Sequence, residues 1–169
     1  MINRLLKISL ATFIVILISG CGGPKAISWN YELFCSGNPG SSGVQMVKCF
    51  SYGSTMEKAR KVVKSNAVHG YLFKGVAASR TAGSYCSEQP AICDVSYDAE
   101  QKWFDNFFDS GEYLQYVTLS NDGNVAASDR IKMKRGYKVG FTIAIKSDQL
   151  RKRMEKEGFA RAMGGTFDN

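Results

Sequence analysis

Apolar and polar positions alternate along this chain in a way that divides it into a leader and a run of short elements. Asn3, Arg4 and Lys7 precede an apolar stretch from Ile8 to Ile18 that only Ser9 and Thr12 interrupt. That stretch is too short to cross a bilayer, which takes about 20 apolar residues, and it fits a cleaved secretory leader. Beyond it, Ile27, Trp29, Tyr31 and Leu33 alternate with Ser28, Asn30 and Glu32, the period of a half-buried strand beginning at Ala26. The turn cluster Gly37 to Gly43 leads into a second strand over 44–52, with Val44, Met46, Phe50 and Tyr52 on one side. The two strands are expected to pair antiparallel.

Ser54 followed by Glu57 has the spacing of a capping box and opens a helix over 55–68. Met56, Ala59, Val63 and Ala67 take one face, Lys58, Arg60, Lys61 and Lys64 the other. Gly70 would end this helix in the left-handed conformation, and 71–77 would follow as a strand. Strand, helix and strand then make a βαβ unit, expected to be parallel and right-handed. After a long connection over 78–97, Asp98 caps a second helix with an aromatic stripe of Trp103, Phe104, Phe107 and Phe108, ended by Gly111. A strand over 113–119 stops at Asn121-Asp122-Gly123. Tyr137, Val139, Phe141, Ile143 and Ile145 give the best strand alternation in the chain, and Ser147 or Asp148 starts a last helix that Gly158 ends. The expected fold is an α+β, two-layer α/β sandwich: a mixed sheet of about five strands with two or three helices largely on one face.

The leader closes on Leu17-Ile18-Ser19-Gly20-Cys21, small residues before a cysteine that resemble the bacterial lipobox. On that reading residues 1–20 are a lipoprotein signal peptide and Cys21 is acylated, a lipid anchor to the membrane. The alternative is an ordinary signal peptide with Cys21 in a disulfide. Residues 21–25 form a short tether, 26–158 a single α/β domain, and 159–169 a C-terminal tail. Removing the leader leaves 149 residues with 20 basic against 15 acidic, a net charge of about +5. The surplus favours anionic partners. Export puts nucleic acid out of reach and leaves an envelope protein, or an anionic glycan or lipid.

Cys35, Cys49, Cys86 and Cys93 then meet an oxidising compartment, where pairing is expected. Four cysteines allow three connectivities; loop closure favours Cys86–Cys93 with Cys35–Cys49. Their spacing does not suit zinc, and neither a metal nor any other cofactor is expected.

The run Asn66-Ala67-Val68-His69-Gly70-Tyr71-Leu72-Phe73-Lys74-Gly75 resembles a motif in uncharacterised lipoproteins of Bacteroides-type bacteria. Tyr113-Leu114-Gln115-Tyr116-Val117 and Tyr137-Lys138-Val139-Gly140, followed by the Leu150-Arg151-Lys152 helix, are similar to that family too. The resemblance implies a small α/β envelope domain and carries no activity with it. In its helix-then-strand layout the chain is also similar to lipoproteins associated with curli secretion. Surface-displayed lipoproteins of such bacteria tend to carry acidic residues after the acylated cysteine. Here Gly22-Gly23-Pro24-Lys25-Ala26 follows, which implies attachment to the outer membrane on its periplasmic face.

Candidate chemistry is sparse. His69 is the only histidine, so a Ser/His/Asp or Cys/His set would have to run through it. Its place in the expected last helical turn suggests a partly protonated imidazole beside the helix dipole instead. Asp94, Asp98 and Glu100 could form a carboxylate pair of the kind that hydrolyses glycosides, against the simpler reading of a helix cap and solvated charges. The aromatic stripe reads as core; the alternative is that part of it, for example Trp103, faces a partner. A non-catalytic protein is expected, an accessory or binding module for an envelope assembly; the alternatives are a module for an anionic glycan or lipid and, more distantly, a hydrolase. For an anionic partner the candidate residues are Arg130, Lys132, Lys134, Arg135 and Lys138, five basic residues between Arg130 and Lys138 with no acid among them. In an extended segment Arg130, Lys132 and Lys134 share one side, Ile131 and Met133 the other.

Overall fold

The structure, a computed structural model, describes residues 29–37, 41–81 and 84–162. The leader, Cys21, the tether, the strand start at Ala26–Ser28 and the tail beyond 162 lie outside the described residues.

The strands are β1 (Tyr31–Cys35), β2 (Gln45–Gly53), β3 (Ser79–Thr81), β4 (Ser84–Cys86), β5 (Val117–Leu119), β6 (Arg130–Met133) and β7 (Gly136–Ile145). The α-helices are α1 (Met56–Phe73), α2 (Gln101–Asp109) and α3 (Ser147–Glu157). One five-stranded antiparallel sheet runs β1-β2-β7, and β5 and β6 both pair with the far edge of β7. β5 takes Ile143–Ile145 and β6 takes Gly136–Val139, end to end. β3 and β4 form a separate hairpin. The architecture is an α+β sandwich, with every pairing of the main sheet antiparallel.

Alternation sets the layers. Leu33, Cys35, Val47, Cys49, Ser51, Val139, Phe141, Ile143 and Ile145 are buried on the inner face, where α1 lays Ala59, Val63, Ala67 and Val68 against them. Phe104, Phe107, Leu150 and Met154 bring α2 and α3 into the same core. Each such side chain contributes roughly 1.5–3 kcal/mol when fully buried. One buried polar bridge ties the layers together: Asn66 Nδ2 donates to Ser51 Oγ at 3.0 Å.

The helix begins one residue later than its expected cap, with the Thr55 hydroxyl accepting from Lys58 N–H at 3.2 Å. It also continues past Gly70 to Phe73, so the expected strand over 71–77 is helix for its first half. Gly70 stays inside the helix because the sheet leaves no room for a side chain: a Cβ there would meet Tyr31 at 2.8 Å and Leu33 at 2.9 Å. No βαβ unit forms. What remains of the strand is one parallel bridge, Phe34 to Ala77, with Cys35 N–H donating to Ala77 O at 2.9 Å. The expected strand over 113–119 is a 3₁₀ turn, Glu112–Tyr116, before the short β5. Phe159 and Ala160, assigned to the tail, are buried, and Asp94 N–H donates to Phe159 O at 2.8 Å.

The disulfide connectivity needs correction. Cys35 bonds to Cys86, while Cys49 is a buried thiol and Cys93 a half-buried one. The β1–β2 register places Val47 opposite Cys35 and Leu33 opposite Cys49. The two cysteines are therefore diagonal neighbours, about 7–8 Å apart, too far for a bridge without backbone movement. Cys93 is held elsewhere, its N–H donating to Leu72 O at 2.9 Å. Among the described residues no helix is long and apolar enough to cross a membrane.

Candidate functional site

The three α-helices of the described residues share the core of the inner face, and the outer face of the sheet carries a groove of about 610 Å³. Its base is the outward set of β1, β2 and β7: Glu32, Phe34, Lys48, Phe50, Lys138 and Thr142. Ala78 and Ser79 wall one side and Asp129 the other. Phe50 stands directly opposite Gly140, and its ring fills the space that a side chain there would occupy. Phe34 meets Phe50 edge-on at 6.2 Å between centroids, and Lys138 Nζ lies 4.8 Å from the Phe50 ring centre.

Charged groups in the groove are paired and fixed. Lys138 Nζ donates to both oxygens of Glu32 at 2.7 Å, and the Tyr52 hydroxyl donates to the same carboxylate. Those two bonds, Lys138 first, hold the Glu32 carboxyl below the usual carboxylate range. Partial burial works to lower the Lys138 ammonium, but its hydrogen bond and charge interaction with Glu32 outweigh that and raise it. Lys48 is paired with Asp129 across the groove. Such an array of a ring surface and immobilised donors and acceptors suits a ligand with many hydroxyls, because its orienting groups are set before the ligand arrives.

The basic segment does not form one continuous face. Arg130–Met133 is a strand with Lys134-Arg135 as its hairpin turn, so the register with β7 separates the side chains. Lys138 belongs to the groove. Arg130 is turned to the opposite side, where its guanidinium donates to Val125 O. Lys132, Lys134 and Arg135 are exposed.

His69 has a different setting from the expected one. It lies a full turn before the end of α1, 5% exposed, with the Trp29 ring stacked on it at 4.0 Å. Tyr31, Phe73, Tyr97 and Phe108 complete the enclosure. Nδ1 shares a 2.6 Å hydrogen bond with the Tyr31 hydroxyl. Burial, with the Lys74 charge added, pushes its pKa down to about 4, so the imidazole is neutral and not a partner of the helix dipole. The carboxylates also separate. Asp94 accepts from Arg161 N–H at 3.2 Å; Asp98 and Glu100 are exposed, and Ser96, not Asp98, caps the turn, accepting from Ala99 N–H at 3.2 Å. Trp103 is half-buried, stacked on Phe107 at 5.3 Å and covered by the Arg153 guanidinium at 5.1 Å. Burial raises the thiols of Cys49 and Cys93 to about 12. Among the described residues no three of His, Cys, Asp and Glu gather as a metal site would need.

The groove is not legible in the sequence because its residues come from separate strands. The local signal is the outward set of β2, where Lys48, Phe50 and Tyr52 interleave with the buried Cys49 and Ser51. Compared with known proteins, the chain matches no family model, no curated protein and no solved structure.

Proposed function

We propose that this chain is a non-catalytic envelope lipoprotein, anchored through Cys21 to the periplasmic face of the outer membrane. Its α+β domain serves as a binding module. The leader and lipobox support the anchor. Two partner classes are open to such a module, an envelope protein assembly and an anionic glycan or lipid. The observation that carries the choice is the outer groove, whose aromatic floor and fixed polar rim favour a glycan. A protein partner would be better served by a flat apolar patch; among the described residues the exposed large apolar side chains are Met56 and Val62 on α1, Leu114 in the 3₁₀ turn and Ile131 and Met133 on β6. The hairpin-turn residues Lys134 and Arg135, at the end of the sheet where Lys138 faces Tyr52, favour an anionic glycan over a neutral one.

The test places a small diazirine amino acid at Ser36, on the groove rim, in intact envelopes. A photo-adduct that muramidase or another glycosidase shortens, and that is lost in Phe50→Ala, supports the reading. An adduct that only protease shortens replaces it with the protein-assembly reading.

A further inference from the structure

A second cavity, of about 320 Å³, lies on the helix side of the sheet. β5 and β6 leave Gly140–Thr142 of β7 without a strand partner on that edge, and the chain from Ser120 to Asp129 crosses the gap. The cavity opens between this crossing and the start of α1. Its floor is Val139 and Phe141, both buried, and Met56, 43% exposed, is an apolar wall.

Two arginines from distant parts of the chain reach its rim, each anchored by a main-chain carbonyl. Arg60 Nη2 donates to Asp122 O at 2.8 Å and lies across Gly123, where a Cβ would stand 2.6 Å from Nη2. Arg130 donates from Nε and Nη2 to Val125 O, at 3.1 and 2.7 Å. The carbonyl that Arg60 holds belongs to a tight turn. Asn121 and Asp122 have φ of 52° and 53°, the left-handed region that these two residue types tolerate in turns. Among the described residues, ion pairs engage Lys48, Lys61, Lys138, Arg153 and Arg161 but neither of these arginines. The acid on the rim, Glu57, is paired with Lys61 at 3.3 Å. Each guanidinium has five N–H donors, so both keep donors unused while the carbonyl anchors limit the freedom they would lose on binding.

We propose that this cavity binds an oxyanion, phosphate or carboxylate, borne on a small ring-shaped or apolar body. Arg60 and Arg130 hold the oxyanion, the fork of a guanidinium matching two of its oxygens. Val139, Phe141 and Met56 hold the body. The volume is at the small end of the range for such sites, about 300–1,000 Å³. The site is on the opposite face from the glycan groove and stands or falls without it.

Isothermal titration of the full-length chain in a non-ionic detergent tests this with phenyl phosphate, benzoate, inorganic phosphate and benzyl alcohol. Phenyl phosphate or benzoate is expected to saturate one site, and benzyl alcohol to give no heat. Arg60→Gln and Arg130→Gln are each expected to weaken binding about tenfold or more, the loss of a charge-assisted hydrogen bond. Lys132→Gln, in the neighbouring hairpin, is expected to change it by no more than about twofold. Met56→Ala should weaken phenyl phosphate while leaving inorganic phosphate as it was. Arg60→Gln also removes the hold on the Asn121–Gly123 turn, so Arg130→Gln, whose anchor is outside that turn, is the deciding variant, with thermal melts recorded for both. Absence of saturable heat with either oxyanion at low salt overturns the proposal. So does wild-type affinity in a folded Arg130→Gln, or an equal loss in Lys132→Gln, which would mark unspecific attraction. Where binding is found, competition by phosphatidylglycerol vesicles assigns the oxyanion to a lipid headgroup, and lack of competition to a soluble ligand.

Discussion

The ring of Phe50 occupies the place of the side chain that Gly140 lacks. The two residues are direct partners across β2 and β7, and a Cβ at Gly140 would meet the ring at 2.6 Å. An aromatic ring covering a strand glycine restores packing that the glycine cannot supply. Gly140→Ala is expected to lift the ring away from Phe34 and Lys138 and to cost about 1–3 kcal/mol, the usual penalty of overpacking. Urea unfolding measures the loss. An alanine variant as stable as the parent would mean that Phe50 is not fixed by this contact.

His69 makes stability depend on pH in a defined direction. Its folded pKa of about 4 is below the unfolded value of about 6.5, so the unfolded chain takes up the proton first as pH falls. The contribution is complete above about pH 6.5 and is lost as the pH falls toward 4. Between pH 7 and 5 the loss is on the order of 2 kcal/mol at about 1.4 kcal/mol per pKa unit. Replacing His69 and Tyr31 together by Phe keeps the aromatic enclosure and removes the titration. Denaturant midpoints for this pair should vary less over that interval than those of the parent; identical slopes would remove His69 as the cause.

Thiol chemistry should follow burial. The oxidised protein is expected to yield a Cys35–Cys86 peptide on mass mapping. Cys49 and Cys93, with thiols raised to about 12, should resist iodoacetamide at pH 8 and react once the chain is denatured. Replacing Cys35 and Cys86 by Ser opens a loop of sequence separation 51 and is expected to cost about 3–4 kcal/mol. Recovery of a Cys86–Cys93 peptide from the native protein would contradict this pairing.

The proposed anchor has its own test. Cys21→Ser should abolish fatty-acid labelling and leave an unprocessed or soluble exported form. If the parent chain takes no acyl label and the variant is retained in the membrane as before, the anchor is excluded.

What was legible in the sequence was whatever depends on near neighbours. Strand β7 follows from its period of two, and Gly111 and Gly158 end their helical segments with φ of 78° and 79°, as local chemistry requires. Gly70 misled because a glycine can stop a helix or let a sheet approach it, and only the position of Tyr31 and Leu33 decides which. Asn66 to Gly75 held no strand signal that Tyr71, Leu72 and Phe73 could not equally satisfy as buried helix residues. The disulfide and both cavities rest on register and on residues far apart in the chain. No spacing rule connects Arg60 with Arg130, or Glu32 with Lys138. The basic run was visible as composition, but the hairpin that divides it between two faces was not.

The bond between Cys35 and Cys86 passes over Cys49 in the chain. On the proposed export, a polypeptide threaded N-terminus first into an oxidising compartment presents Cys35 and Cys49 while Cys86 is still to come. An oxidase that joined consecutive thiols there would make a bridge that the register of β1 and β2 cannot keep. Exchange would resolve it: the Cys86 thiolate attacks the Cys35 sulfur, the new bond forms, and Cys49 leaves as a thiolate that takes up a proton. Packing against the helices then seals that thiol from further exchange. For the exported chain proposed above, loss of a disulfide isomerase is therefore expected to lower the yield of the Cys35–Cys86 form.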